Sequence, residues 1–502
     1  MGIIARQSIK GTIVTYIGVA VGFVTTFFVL TRFLTAEDIG LARVLIDAAT
    51  LFVSLAQLGT SSSIIRFYPY FKDKEHKDHG FFFWTVIFPL FGFILFAVVY
   101  WACQGPLGQW FGEKSPLFMD YYFMVLPLAF FMLYQAIFES NANVLMRIVV
   151  PRMVREVIVR IGLLVLYLLY AFHILSLDGF VIGLCVNYGV AAAINIIYLF
   201  SLGNISLRPD WTFLKENPTL VKRYLLYTTF IFISALTGVL APTLSSFFVT
   251  AKMGLGHTGI YAIATYIAVM VSIPYRSVTA IAAPQLAQSI KDQDKHQTST
   301  LLHQVSNNLL LIGGFIFLAI WINIDLIFHI LPNGSTYAVA KDVVLILGIS
   351  QLLIATFSIC LTAINYSRYY IFSWVLSLLL TIASLMLNNY LVPLYGMEGA
   401  AMSNLFSYLG YFVLAIIILH FTSKVSIANS KTLWIALLVI VIFGLNTLLE
   451  QFLPITNIWI SSIVRSVILL GSGAAVAYYL HLSPELNNLV HKILPHNKSI
   501  YH

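Results

Sequence analysis

Apolar residues in this chain run in blocks of about 20, long enough to cross the roughly 30 Å hydrocarbon core of a bilayer as helices. About fourteen such blocks follow one another, at 10–32, 38–64, 80–102, 119–140, 153–174, 179–201, 224–250, 257–284, 305–331, 342–366, 369–390, 397–421, 432–450 and 458–480. Alternation with a period of two is missing, which argues against the strands of a membrane barrel and predicts helices. The longest polar stretches are 202–222, punctuated by Pro209, Asn217 and Pro218, and the tail 481–502. Neither can house a soluble domain of ordinary size.

Charge gives these segments a direction. Of the 28 lysines and arginines, twenty fall in every second gap, among them Arg66, Lys77, Arg147, Lys215 and Lys295. The intervening gaps hold only Arg32, Lys114, Lys252 and Lys341, and Arg43, Arg160, Arg276 and Arg465 lie inside the apolar segments. By the positive-inside rule this asymmetry predicts that both termini are cytoplasmic. Composition agrees, since 60% of the residues are hydrophobic and 10% charged, against roughly 25% charged in soluble domains. The net charge of +8 then reads as topology and contact with anionic headgroups. Because the basic residues are dispersed over separate loops, no nucleic-acid partner is expected. Cys103, Cys185 and Cys360 have no C-x-x-C spacing and suggest neither a metal site nor a disulfide framework. The first apolar stretch is too long for a cleavable signal peptide, and more spans follow it.

An internal repeat divides the chain. Phe28-Val29-Leu30-Thr31 matches Phe247-Phe248-Val249-Thr250 at an offset of 219, and Gly40 meets Gly259 at the same offset. Asp178-Gly179 against Glu398-Gly399 gives 220. The expected architecture is an all-α integral membrane protein with two pseudo-symmetric six-helix lobes, 1–201 and 224–421. A cytoplasmic linker at 202–223 joins the lobes, segments 13 and 14 occupy 422–480, and a cytoplasmic tail covers 481–502. With an even number of helices per copy, the copies share one orientation about an axis along the membrane normal.

Three strings carry a family likeness. Leu30-Thr31-Arg32-Phe33-Leu34-Thr35-Ala36-Glu37-Asp38-Ile39-Gly40 and Leu58-Gly59-Thr60-Ser61-Ser62-Ser63-Ile64-Ile65-Arg66-Phe67 resemble the helix 1–2 region of Wzx-type polysaccharide and O-antigen flippases. These belong to the multidrug/oligosaccharidyl-lipid/polysaccharide (MOP) exporter superfamily. Tyr395-Gly396-Met397-Glu398-Gly399-Ala400-Ala401 resembles that family's helix 11–12 turn. The resemblance implies a cell inner-membrane carrier, not an enzyme. Such a carrier turns an undecaprenyl-pyrophosphate-linked oligosaccharide from the cytoplasmic to the periplasmic leaflet by alternating access, for O-antigen, capsule or exopolysaccharide synthesis. It also implies a V-shaped cavity between the lobes, no cofactor, and as partners the membrane lipids and the polymerase or ligase machinery that handles the glycan. Some relatives flip lipid II, and others expel cationic drugs.

Such a cargo needs cations for its phosphates and polar or aromatic surfaces for its sugars. Arg43 and Asp47 share one face of segment 2 at i,i+4. A lone charge at mid-bilayer costs roughly 2.5–3.5 kcal/mol on insertion scales, so both should face the bundle interior or water. Arg43 is the candidate phosphate ligand, with Asp47 its orienting partner or a protonation site. Arg276, beside Pro274 in segment 8, is the second candidate. Arg66 and Arg147 would form a cationic rim at the cytoplasmic mouth, from which the pyrophosphate passes through Arg276 to Arg43. Arg160 reads as a snorkelling residue, and Arg465 as one that meets a lipid phosphate or a polar partner on segment 13. Aromatics crowd segment 4, where packing and the interfacial belt are the default. His329 and Asp325 are a solvated helix end or a proton relay. No P-loop, zinc spacing or nucleophile–base arrangement occurs. A cation/drug antiporter would want a carboxylate in segments 1 and 7, which have none between Gly11 and Thr31 or between Tyr224 and Thr250. A membrane-embedded polymerase or ligase would want larger outer loops.

Overall fold

The computed structural model describes residues 3–73, 76–145, 147–202, 206–452, 457–483 and 487. The predicted segments are helical almost throughout, and no strand occurs among the described residues. Eleven helices there are long and apolar enough to cross a membrane, so the protein is an all-α, multi-pass membrane protein. One of the eleven, Ile371–Ser423, carries two predicted segments, interrupted where Gly396 takes φ 58°. Most of the predicted tail lies outside the described residues.

The chain forms two compact units, Met1–Ala262 and Ile263–His502. This division falls inside segment 8, whereas the sequence repeat is punctuated at 202–223. Each unit is built by apolar helices that must bury small and polar residues against one another, because between helices in lipid there is little hydrophobic drive and close packing and hydrogen bonds decide association.

In the first unit the Ala36–Ala56 helix is the central element. A capping box fixes its start: the Thr35 hydroxyl accepts from the Asp38 amide, and the Asp38 carboxylate accepts from the Thr35 amide at 3.2 Å. It packs against the Phe81–Ala102, Val125–Val144 and Pro218–Met253 helices. Predicted segment 2 is not one rod. Leu58 and Gly59 take left-handed φ of 48° and 75°, and a new helix, Thr60–Phe71, departs toward Pro218–Met253. There the Ser63 and Thr228 hydroxyls share a buried 2.9 Å hydrogen bond. Pro218 starts the latter helix at its first turn, where a missing N–H does no harm, so it begins six residues before the predicted 224.

Two helices of the first unit touch where the repeat was recognised. A Cβ placed on Gly40 would lie 2.7 Å from the Leu255 carbonyl carbon and 3.1 Å from the Gly259 nitrogen. A Cβ on Gly259 would lie 2.8 Å from the Ala36 carbonyl carbon and 3.1 Å from the Gly40 nitrogen. Only glycine permits this backbone approach at either position. Thr31 and Thr250, also matched at the 219 offset, are both fully buried and donate to the Phe27 and Ser246 carbonyls at 2.7 and 2.8 Å.

The second unit has its cores among Lys295–Ile322, Lys341–Tyr366, Ser430–Phe452 and Ile458–Tyr479, with Leu302, Leu309, Ile359 and Cys360 among the most buried residues. Arg465 is buried there and bonds to Glu450 and, at 3.4 Å, to Asn446, both on the preceding helix. This is the polar partner on segment 13 that the sequence offered as one option.

Candidate functional site

The Ala36–Ala56 helix presents the candidate pair. Arg43 donates from Nε to Asp47 Oδ2 at 2.8 Å; Asp47 is buried and the Arg43 side chain is 23% exposed. Tyr261, buried and hydrogen-bonded to Ser245, stands within electrostatic reach of both charges. A guanidinium carries its N–H donors on a planar fork, a shape suited to bidentate recognition of a phosphate. The pair occupies one helix and needs no neighbour to form.

Arg66 lies midway along Thr60–Phe71. It is exposed, with its guanidinium carbon 4.2 Å from the Tyr227 ring centre, a cation–π contact that orients the side chain without consuming its N–H donors. From Arg43 the chain runs 23 residues to Arg66, across the break at Leu58 and Gly59. Arg147 is exposed in the connection after Val125–Val144, where its amide donates to the Ala142 carbonyl at 3.0 Å. Arg276 sits on the helix Ile273–Lys291, with Pro274 in the first turn, but its side chain lies outside the described residues.

A second set of charges escaped the sequence reading. Glu139 and Glu156 are buried; Arg155 donates to Glu139 at 2.7 Å and to Glu156 at 3.2 Å. Arg160 donates to Glu156 at 2.9 Å and to the Gly18 carbonyl at 2.6 Å. Arg160 is thus a bridge between helices, and the expected snorkelling geometry is replaced by pairing. Glu156 lies in a π-helical turn, Val154–Ile158, and the first helix has another at Thr25–Leu30. The i,i+4 spacing of Glu156 and Arg160 was a usable signal. Glu139 was not recognisable, because its partner is 16 residues away on another helix.

In the second unit Lys291, Lys295 and Arg368 line a depression of about 500 Å³ with Thr298, Ser367 and Tyr369. In the sequence these three cations carry only a topology signal. Asp325 pairs with Lys341 at 2.8 Å, so it has a local basic partner in place of a relay. The segment 4 aromatics pack: Tyr122, Tyr134 and Phe138 are buried, and Tyr122 stacks on Tyr100 at 4.1 Å with reciprocal hydroxyl-to-carbonyl bonds.

Outside the membrane, Asp210 caps the short helix Trp211–Glu216. The hydrogen bond from His79, then that from the Phe213 amide, hold its carboxyl below the usual range.

Comparison with solved structures returns the same architecture. A lipid II flippase, MurJ, in an inward closed conformation aligns with a TM-score of 0.70 at 12% identity, over 94% of this chain and 99% of that one. An inward-facing multidrug-resistance MATE transporter of the MOP superfamily aligns at 0.60 and 12% identity, over 81% and 96%. A MOP superfamily transporter from Pyrococcus furiosus aligns at 0.55 and 14%, over 83% and 95%. Among curated proteins there is no match. At these identities the structures establish the fold. The family follows from the sequence, where the model of the polysaccharide biosynthesis protein family matches residues 4–290, more than half of the chain: the protein belongs to that family.

Proposed function

We propose that the protein flips an undecaprenyl-pyrophosphate-linked oligosaccharide from the cytoplasmic to the periplasmic leaflet of the inner membrane by alternating access, with both termini cytoplasmic. The observation that carries this reading is the charge of the first unit's interior. Asp47, Glu139 and Glu156 are each bonded to an arginine, and Arg43 sets a guanidinium in the apolar stretch of its helix. A cation exporter needs a carboxylate that is not already neutralised; a pyrophosphate is bound by guanidinium groups. The arrangement favours the anionic cargo and speaks against the cation/drug antiporter.

In this mechanism Arg66 and Arg147 attract the pyrophosphate at the cytoplasmic side, and it passes through Arg276 to Arg43. Asp47 holds the Arg43 fork in place and limits how tightly it grips, since a carrier must release its load. The lipid tail stays in the bilayer, so only the head group needs a polar route. Repeats 1–201 and 224–421 are the units that exchange the site between the two faces, a reading supported by the reciprocal contact of the matched Gly40 and Gly259. The driving force is a gradient, the membrane potential or consumption of the product. Lipid II is the second cargo to test, because the likeness to a lipid II flippase covers nearly the whole chain.

The test is reconstitution of the purified protein in proteoliposomes with undecaprenyl-pyrophosphate-oligosaccharide or lipid II, and measurement of leaflet exchange of each. Exchange of the oligosaccharide lipid with little of lipid II is the expected result; preference for lipid II reassigns the cargo, and exchange of neither overturns the reading. Reporter fusions after Lys77, Lys215 and Lys295 should all read cytoplasmic.

A further inference from the structure

The geometry points to a divalent transition-metal site, of the Zn²⁺ class, formed by Asp73, His76 and His79 in the loop after Thr60–Phe71 and backed by Asp210 of the linker. Neither transport nor the arginines above require it. The ligand atoms of Asp73, His76 and His79 all lie within 4.8 Å of one another. Asp73 Oδ2 is 2.8 Å from His76 Nδ1 and 3.5 Å from His79 Nε2. Tetrahedral zinc with bonds of about 2.0–2.1 Å separates neighbouring ligand atoms by about 3.3 Å, and these two separations bracket that value. Two imidazoles and one carboxylate leave a fourth position for water or another oxygen donor.

The surroundings favour coordination over a simple ion pair. His79 donates from Nδ1 to Asp210 Oδ2 at 2.8 Å, which leaves the Nε2 lone pair directed at the Asp73 side. A carboxylate behind the far nitrogen of a ligating histidine fixes its tautomer and raises its basicity, a frequent outer-shell arrangement in metal sites. The His79 ring is further clamped by Phe213, stacked at 4.0 Å, and by His76, stacked at 5.2 Å with planes 9° apart. The loop itself is folded back by Asp78, which accepts from the Asp73 amide at 3.0 Å and the Tyr68 hydroxyl at 3.1 Å. Bound metal would therefore fasten the loop after segment 2 to the linker before segment 7. The spacing D-x-x-H-x-x-H is not a familiar zinc signature, and Asp210 is distant in sequence, which is why the sequence reading found no metal site.

The experiment is titration of the full-length protein in detergent micelles with Zn²⁺ against a chromophoric chelator, with Co²⁺ absorption as the second readout. One ion per chain is expected. His76→Ala and His79→Ala should each weaken binding by at least about tenfold, and Asp210→Asn by about 10–100-fold, with the tetrahedral Co²⁺ bands lost. Replacement of the tail residues His491, His496 and His502 by alanine should leave binding intact. Should the wild type bind no stoichiometric ion, or should the tail variant lose binding while His76→Ala and Asp210→Asn keep it, the assignment is overturned. Size-exclusion profiles of the variants separate loss of the site from loss of the fold.

Discussion

Two ionic clusters lie in the apolar helices of the first unit, and they are built in opposite ways. Arg43 and Asp47 pair within one helix at i,i+4 and would stay paired if every neighbour were removed. Arg155, Glu139, Glu156 and Arg160 bind two helices together and reach the carbonyl of Gly18 on a third. The i,i+4 bond does not itself join two helices, so on its own it holds the bundle together less than the interhelical network does. An interhelical network is explained by packing alone. The contrast teaches that intramembrane charge is informative about function only after its partners are known.

The sharpest way to break the contrast is Arg43→Ala. Surface glycan export should fall by at least about tenfold, since truncating a desolvated charged contact costs about 2–5 kcal/mol, while the amount of protein in the membrane stays near normal on immunoblots. Normal export would make both clusters structural. The double exchange Arg43→Asp with Asp47→Arg keeps an i,i+4 pair but moves the cation by one turn; export should remain several-fold below wild type, and full recovery would mean that the pair itself is what matters. Glu156→Ala is the converse test. It unpairs Arg160 and weakens Arg155, and after discounting for the partly exposed arginines the loss should be about 2 kcal/mol, seen as lower membrane levels and earlier thermal aggregation in detergent. Export per molecule should be preserved. The smallest effect is expected from Arg160→Lys, which keeps the charge but loses the fork that serves Glu156 and Gly18 together: a drop of under about 1 kcal/mol in the same stability assay.

Much of the fold was legible because lipid imposes it. Backbone groups in hydrocarbon must be satisfied within the segment, so each long apolar block had to be a helix, and the polar gaps had to be its ends. Local backbone chemistry was less visible. The break at Leu58–Gly59 depends on a left-handed pair followed by Thr60-Ser61-Ser62-Ser63, hydroxyl residues that a membrane helix also tolerates, and the six-residue extension of the seventh helix depends on Pro218 acting as a helix start rather than a breaker. The candidate site divides similarly. Arg43 and Asp47 could be read because their partnership is local. Glu139 with Arg155 and the Lys291, Lys295 and Arg368 depression could not, since each is assembled by contacts between elements that no short window of sequence contains, and the Asp73, His76 and His79 run gains Asp210 only through the fold.

The glycine contact is reciprocal. Ala36 and Leu255 stand 219 positions apart, as do Gly40 and Gly259, and residue 40 of one copy meets residue 36 of the other in both directions. Reciprocity of that kind defines an isologous interface, the kind two identical subunits make across a two-fold axis. A symmetric contact doubles the effect of any change made at it: a side chain at either glycine would meet the backbone of the opposite helix, and side chains at both would push the same two helices apart from both sides.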